Sequence, residues 1–166
     1  MVPTLNQVAE VAEQDFRQAL RLFASGVTII TTQDQDGVIH GMTATAFSSL
    51  SLAPPLILVA VARNTRCHAM IAATGRFGVS VLYDHQAELS RHFGGQPSPD
   101  VTPQFRMLDG TPVMENAMIM LACGLKEATE GGDHTIFVGL VGAAVTAPGE
   151  PLIHFGGNYR RLAPAD

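Results

Sequence analysis

The stretch VTIITTQDQDGVIHGMTATA, residues 27–46, decides how this chain is expected to fold. Val27 to Thr32 is β-branched throughout, which favours an extended strand because branched side chains pack well on a pleated surface. Asp34-Gln35-Asp36-Gly37 has the composition of a turn, and Val38 to Ala46 follows as a second strand. The stretch therefore predicts a β-hairpin.

The residues before this hairpin predict a helix. From Asn6 to Ser25, apolar residues recur at steps of three and four, which places them on one face of a helix. Gly26 follows as the expected C-terminal stop. The chain should therefore enter its first strand from an N-terminal amphipathic helix.

The rest of the chain predicts more strands and two short helices. Strands are expected at Leu56 to Ala62, Arg76 to Leu82, Ala117 to Lys126, His134 to Thr146 and Leu152 to Phe155. One helix should be capped at Asn64-Thr65, run to about Ala73 and stop at Gly75. A second helix should span Gln86 to Phe93. Gly94 to Pro112 is predicted to form a surface loop, and Tyr159 to Leu162 a closing segment. Helices do not alternate regularly with strands. The pattern therefore favours a mainly β barrel with Greek-key connections over a doubly wound sheet.

Length and charge limit the classes of function. The 166 residues predict one domain, 1–166, and the net charge of −5 argues against binding nucleic acid or an anionic membrane. The longest apolar run, Leu52 to Ala62, is too short to span a bilayer and contains two prolines. The N-terminus lacks the pattern of an export signal, so we expect a cytoplasmic protein whose two cysteines, Cys67 and Cys123, stay reduced.

Motifs for several common chemistries are missing from the sequence. There is no G-x-G-x-x-G after a strand, no phosphate-binding loop with lysine, no G-x-S-x-G and no H-E-x-x-H. The six histidines are scattered without helical zinc spacing, so no metal site is predicted. An enzyme without these groups would depend on an organic cofactor for its chemistry.

Five segments, in order and in register, carry a family resemblance. They are FASGVTIITT (23–32), HGMTATAFSSLSL (40–52), PPLILV (54–59), GRFGVSVL (75–82) and GGDHTIFVG (131–139). With these segments the chain resembles the short-chain flavin reductases, over about residues 16 to 162. The resemblance implies an FMN-binding split β-barrel with an N-terminal helix and short flanking helices, which forms a homodimer. It also implies an NAD(P)H:flavin oxidoreductase that supplies reduced FMN or FAD to a partner monooxygenase.

The resemblance also suggests where the flavin would bind. Thr43, Ala44, Thr45 and Ala46 combine small side chains with two hydroxyls, which lets a flat ring approach the strand, and Ser48 and Ser49 add donors for the ribityl chain or the ring edge. The segment Arg63-Asn64-Thr65-Arg66 ends a strand and starts a helix, where free N–H groups and two arginines could hold a phosphate.

The remaining candidates concern the nicotinamide. His134, in Gly132-Asp133-His134-Thr135, matches a family motif on the nicotinamide side and is the candidate catalytic residue. Phe93 and Gly94 resemble the segment over the bound dinucleotide, and Tyr159, followed by Arg160, could close the pocket. His40, His68 and His154 are expected to be structural.

Several alternatives stay open at this point. The sequence decides neither between FMN and FAD nor between NADH and NADPH. Two rival hypotheses remain. One is a split-barrel protein that keeps FMN tightly bound and uses another acceptor, and the other is a non-catalytic flavin-binding protein.

Overall fold

The computed structural model describes residues 9–163. In that range the chain forms three helices: α1 (Glu13–Arg21), α2 (Arg66–Thr74) and α3 (Ala87–Phe93). The strands are β1 (Ser25–Gly26), β2 (Thr28–Gln33), β3 (Ile39–Ala44), β4 (Phe47–Leu52), β5 (Pro55–Ala62), β6 (Arg76–Val81), β7 (Phe105–Leu108), β8 (Thr111–Met114), β9 (Ile119–Gly131), β10 (His134–Thr146), β11 (Ile153–Phe155) and β12 (Asn158–Arg160).

Seven strands form one antiparallel sheet in the order β3-β2-β6-β9-β10-β5-β4. The sheet curls on itself, because Ala44 of β3 and Val59 of β5 belong to one buried cluster with Phe77 and Phe137 from the central strands. No ladder joins β3 to β4, although the Ala60 N–H donates to the Ala46 carbonyl at 3.0 Å close to this gap. The result is a barrel that stays open between β3 and β4.

A second sheet, β1-β11-β12, closes one end of the barrel. β1 pairs with β11, and the Gly156 N–H of the turn after β11 donates to the Arg21 carbonyl at 2.8 Å. The C-terminal end of α1 is therefore tied to the last hairpin of the chain. This tie brings segments from the two ends of the sequence to one place.

The predicted N-terminal helix is shorter than its periodicity suggests. α1 spans Glu13–Arg21, and the prediction for residues 6–8 lies outside the described residues. Ala12 is extended and makes no side-chain cap, while Ser25 and Gly26 are recruited into β1 by pairing with β11. Gly26 is therefore a strand residue, and the prediction that it stops the helix is wrong.

The other predicted elements differ in smaller ways. The strand His134–Thr146 and the helix capped by Thr65 and ended by Gly75 are confirmed. The predicted loop 94–112 is wrong over its second half, where β7 and the start of β8 form a hairpin. The strand β4 was not predicted, because its serines do not follow a strand pattern.

The hairpin β7–β8 is fixed by buried polar contacts against the barrel wall. The Thr31 hydroxyl donates to the Pro112 carbonyl, and the Ser80 hydroxyl accepts the Met114 N–H at 2.9 Å.

In the part of the chain described here, none of the helices is long and apolar enough to cross a membrane.

Candidate active site

Two pockets adjoin each other along β3 and share one side chain, that of His154. The larger has a volume of about 450 Å³ and lies between α1 and the residues that follow β3. The smaller has a volume of about 360 Å³ and lies between β3, the end of α3 and the β11–β12 turn. Both volumes are in the range of small-molecule sites.

The two pockets differ in chemistry. In the larger, Leu20 and Phe23 face Thr45 and Ala46, with two arginines of α1 in the wall. In the smaller, most of the wall is polar and includes a guanidinium, two amides, a hydroxyl and a phenol, from Arg91, Gln96, Asn158, Thr43 and Tyr159. A mainly apolar compartment thus opens beside a polar one.

The four residues that were predicted to contact the flavin face different surroundings, because Thr43 and Ala44 end β3 and Thr45 and Ala46 lie beyond it. Thr43 lines the smaller pocket, and Thr45 and Ala46 line the larger. Ala44 is buried in the core, and its carbonyl accepts the Thr28 hydroxyl at 2.7 Å. The Ala44 side chain therefore faces away from both pockets.

Ser48 and Ser49 are not brought to the pockets. Both are exposed on β4, an edge strand of the large sheet. The Ser48 hydroxyl donates to the Ser49 carbonyl at 3.1 Å. Their predicted contact with the flavin thus finds no support in a pocket of the single chain.

Phe93 and Gly94 separate at the end of α3. Gly94 caps the helix and lines the smaller pocket, where an added Cβ would lie 2.9 Å from the Ser90 carbonyl oxygen. Phe93 packs its ring on Gly41 of β3 and edge-on to Phe105. Gly94 is therefore a pocket residue, whereas Phe93 supports the wall from behind.

Tyr159 reaches the smaller pocket from β12. Its hydroxyl lies 2.8 Å from the Ser90 hydroxyl, and the Arg91 guanidinium lies 4.9 Å from the centre of its ring. The ring also contacts His154 edge to face. These contacts hold the phenol in one orientation.

The segment 63–66 lies where β5 ends and α2 begins. Thr65 caps α2 by accepting the His68 N–H, and its own proton goes to the Ala62 carbonyl at 2.8 Å. Arg63, Asn64 and Arg66 are exposed, and a long ion pair of 3.6 Å joins Arg63 to Glu130. Along β5, the distance from Ala60, which bonds to Ala46, to Arg63 is about 10 Å. A ligand in the larger pocket could therefore extend to this helix start.

His134 begins β10 next to a turn near α1. Its Nδ1 lies 2.7 Å from an Asp133 carboxylate oxygen. This hydrogen bond lowers the pKa of the Asp133 carboxyl, and the charges of His134 and Arg17 lower it further. Arg17 also lines the larger pocket, whereas neither His134 nor Asp133 belongs to the lining of either pocket. The hydrogen bond to Asp133 restrains the imidazole ring, and the His134 side chain is 42% exposed.

Several pocket residues were not predicted from the sequence. His154 was expected to be structural, yet it is the side chain that both pockets share. Arg91, Asn158 and Arg17 also line the pockets without belonging to a motif. The spacing of Phe16, Arg17 and Leu20 in an amphipathic helix was a usable signal for α1, whereas nothing local marks His154.

The two cysteines take no part in either pocket. Both thiols are free and buried. Burial raises the pKa of Cys67 to about 11 and that of Cys123 to about 12. Neither thiol is a thiolate nucleophile at neutral pH.

Comparison with known proteins gives consistent matches over nearly the whole chain. An NADH-dependent flavin reductase from Rhodococcus sp. is 41% identical over 156 residues, which cover 92% of this chain and 88% of the relative. The reductase component of 4-hydroxyphenylacetate 3-monooxygenase from Thermus thermophilus is 38% identical, over 90% of this chain and 97% of the relative. The solved structure of the flavin reductase PheA2 in its native state superposes with a TM-score of 0.89 at 38% identity, covering 93% of this chain and 100% of that one.

The structural match confirms the expected mainly β, split-barrel fold. The family model described as "Flavin reductase like domain" matches residues 20–163, which include the segments quoted from the sequence and all residues that line the two pockets except Arg17. This chain therefore belongs to the flavin reductase-like domain family.

Proposed function

We propose that this chain is an NADH-dependent flavin reductase that reduces FMN or FAD and supplies the product to a partner monooxygenase. The observation that carries the proposal is the pair of adjoining pockets, one mainly apolar and one polar, that meet at β3 and His154. Relatives named as an NADH-dependent flavin reductase and as a monooxygenase reductase component support the donor and the partner.

The apolar pocket suits the flavin ring. Thr45 and Ala46 offer small side chains on one side, and Leu20 and Phe23 offer apolar surface on the other. The start of α2 at residues 63–66 would hold the phosphate, because unpaired N–H groups and the positive end of the helix dipole favour an anion there. The arginines at 63 and 66 are exposed and would assist, with Arg63 exchanging its long ion pair to Glu130 for the phosphate.

The polar pocket suits the nicotinamide end of the donor. NADH supplies the hydride and the flavin accepts it, so this chain has only to align the two ligands and to keep them apart from water. Thr43, Asn158 and Tyr159 provide hydrogen-bonding groups for a carboxamide and a ribose. His134 lines neither pocket; with Nδ1 held by Asp133, its Nε2 would bond to the part of the donor that extends beyond them.

The test is NADH oxidation, followed by the loss of absorbance at 340 nm with FMN or FAD added, and then with NADPH in place of NADH. We expect turnover that requires added flavin and is faster with NADH. His134→Asn should raise the KM for NADH about tenfold, the effect of losing one hydrogen bond to a charged or polar ligand group. His85→Asn is the matched control, because His85 is exposed, pairs with its neighbour Asp84 and lines neither pocket.

Two results would count against this function. Absence of flavin-dependent NADH oxidation in a folded protein that binds flavin would favour the alternative of a flavin protein with another acceptor, or with none. Equal effects of the two histidine substitutions would remove His134 from the site while leaving the activity itself in place.

We also infer that the protein is a homodimer. On the outer face of the sheet, β5 and β10 place apolar side chains directly opposite each other: Leu56 with Leu140, Leu58 with Val138, and Ala60 with Ile136. All six are exposed or only half-buried, and no charged side chain lies among these pairs. The adjacent edge strand β4 adds Leu50 and Leu52, whose exposed fractions are 50% and 94%. A second copy of the chain would cover this face.

Sedimentation velocity tests the dimer. Val138→Asp would place a charge in the middle of the face and should give a monomer. Val38→Asp is the control, since Val38 is an exposed valine in the β2–β3 turn region. A wild-type monomer at micromolar concentration would contradict the inference.

Cytoplasmic localisation stays a prediction.

A further inference from the structure

We propose that Ser90 is a positioning residue that holds Tyr159 and Thr43 in the wall of the polar pocket, and so sets the affinity for the nicotinamide donor. The proposal deepens the proposed function, because it takes the smaller pocket as the place where the donor binds. It concerns a residue that no motif marks: Ser90 belongs to the lining of the smaller pocket, yet it is fully buried.

The Ser90 side chain makes an unusual contact for a serine inside a helix. Such hydroxyls commonly face solvent or bond to the carbonyl one turn earlier. Here the hydroxyl lies 2.8 Å from the Tyr159 hydroxyl, which belongs to a strand 69 residues further along the chain. The Ser90 hydroxyl is buried, whereas Tyr159 is half-buried, so the serine would be left as a buried polar group without this partner if the phenol moved away.

The Ser90 carbonyl makes a second set of contacts. It accepts the Thr43 hydroxyl at 2.7 Å and the Gly94 N–H at 2.9 Å, which uses both lone pairs of the oxygen. Thr43 therefore donates its only hydroxyl proton to the Ser90 carbonyl and not to a ligand. Toward the pocket it can only accept, and an acceptor at this place matches an N–H donor such as a carboxamide.

One residue thus joins three walls of the pocket. β3 contributes Thr43, α3 contributes Gly94, and β12 contributes Tyr159, and each is bonded to Ser90. Arg91, the next residue, places its guanidinium over the Tyr159 ring. The orientation of the phenol and the lone pair of Thr43 are fixed together, before any ligand binds. This arrangement reduces the ordering that binding would otherwise require.

The test compares Ser90→Ala with Ser80→Ala. Ser80 is also fully buried, and its hydroxyl accepts the Met114 N–H at 2.9 Å away from both pockets. Both variants lose one hydrogen bond of a buried serine, so both should lower Tm. Only Ser90→Ala should raise the KM for NADH, by about three- to tenfold, with the KM for flavin changed less than twofold.

A double-mutant cycle separates positioning from general damage. Tyr159→Phe removes the same hydrogen bond from the other side. The KM for NADH of the double variant Ser90→Ala/Tyr159→Phe should therefore be close to that of whichever single variant has the higher KM. The proposal is overturned if the two effects multiply, or if Ser90→Ala lowers Tm like Ser80→Ala and leaves the KM for NADH unchanged.

Isothermal titration of each variant with NADH, without flavin, gives a readout that does not need turnover. A wild-type protein that binds NADH but does not reduce flavin would refute the proposed function alone, and the ratio of Kd values for wild type and Ser90→Ala would still decide this inference. We expect the same three- to tenfold ratio in Kd. A ratio near one refutes the proposal.

Discussion

Substituting Gly41 by alanine tests how the end of α3 is held over the pockets. A Cβ added at Gly41 would lie 2.6 and 2.8 Å from two carbon atoms of the Phe93 ring. Carbon atoms in contact prefer a separation of about 3.5–4.0 Å, so the ring would have to move by about 1 Å. Phe93 is the last residue of α3 and precedes Gly94 in the pocket wall. The strain at Gly41 would therefore reach the polar pocket.

The size of the effect follows from two opposing contributions. Overpacking of this kind lowers the free energy of unfolding by about 1–3 kcal/mol. Replacing a strand glycine by alanine recovers about 0.5–1 kcal/mol, because glycine loses more backbone freedom on folding. The net change for Gly41→Ala is therefore a loss of up to about 2.5 kcal/mol.

Gly124→Ala is the matched control for this experiment. Gly124 lies in β9, and an added Cβ would meet no atom within 4 Å. It should gain the same 0.5–1 kcal/mol without any strain. The two variants should then differ by about 1–3 kcal/mol, and a difference of 2 kcal/mol corresponds to about 4–8 °C in Tm for a chain of this size.

The assay is urea denaturation of both variants at one protein concentration, since a dimer would make the midpoint depend on concentration. Adding Phe93→Leu to Gly41→Ala should restore part of the loss, because the ring that causes the clash is gone. Equal stability of the two glycine variants would refute the reasoning. In that case the Phe93 ring would be free to leave β3, and it could then contact the bound dinucleotide, as the sequence predicts.

Three further predictions concern other parts of the molecule. Gly78→Ala should destabilise by about 3 kcal/mol or more in urea denaturation, because the new Cβ would overlap the Pro112 carbonyl oxygen, a backbone atom that cannot easily move; a smaller loss than for Gly41→Ala would contradict this. The hydrogen bond from His40 is the main cause that lowers the pKa of Asp34, so its stabilising effect is present above pH 3.8 and is lost as the pH falls through the lowered pKa; Asp34→Asn should reduce the fall of Tm in this acid range, and an unchanged slope would count against it. The two buried thiols should react slowly with a thiol reagent at pH 8 in the native protein and at once in denaturant, since burial raises the pKa of both; rapid labelling of the native protein would show that a thiol is accessible.

Local signals in the sequence were sufficient to predict an element where one residue type determines the backbone conformation at its end. Thr65 accepts the His68 N–H as an N-cap, and Gly75 takes the left-handed conformation that ends α2, with φ of 67°. Both were predicted, because capping depends on a few adjacent residues. The strand from His134 to Thr146 was predicted with its observed bounds for a similar reason, since its β-branched and apolar residues form one long uninterrupted run.

Features that depend on distant contacts could not be predicted in this way. β1 exists because Ser25 and Gly26 pair with His154 and Ile153, which are more than 120 residues away in the sequence. The polar pocket likewise combines β3 with the end of α3 and the last hairpin. His154 therefore looked structural in the sequence, because its neighbours across the pocket become visible only in three dimensions.

The segment 43–46 shows why a motif alone does not assign roles to its residues. Thr43 faces the polar pocket and bonds to α3, Ala44 fills the core and bonds to Thr28, and Thr45 and Ala46 face the apolar pocket. A small side chain at position 44 is thus required by packing against the barrel core, whereas small side chains at 45 and 46 leave room for a ligand. A motif records both requirements as the same preference for small residues. The structure separates them, because Ala44 is fixed by the pairing of β3 with β2, whereas Thr45 and Ala46 lie just beyond the end of β3 and beside the larger pocket.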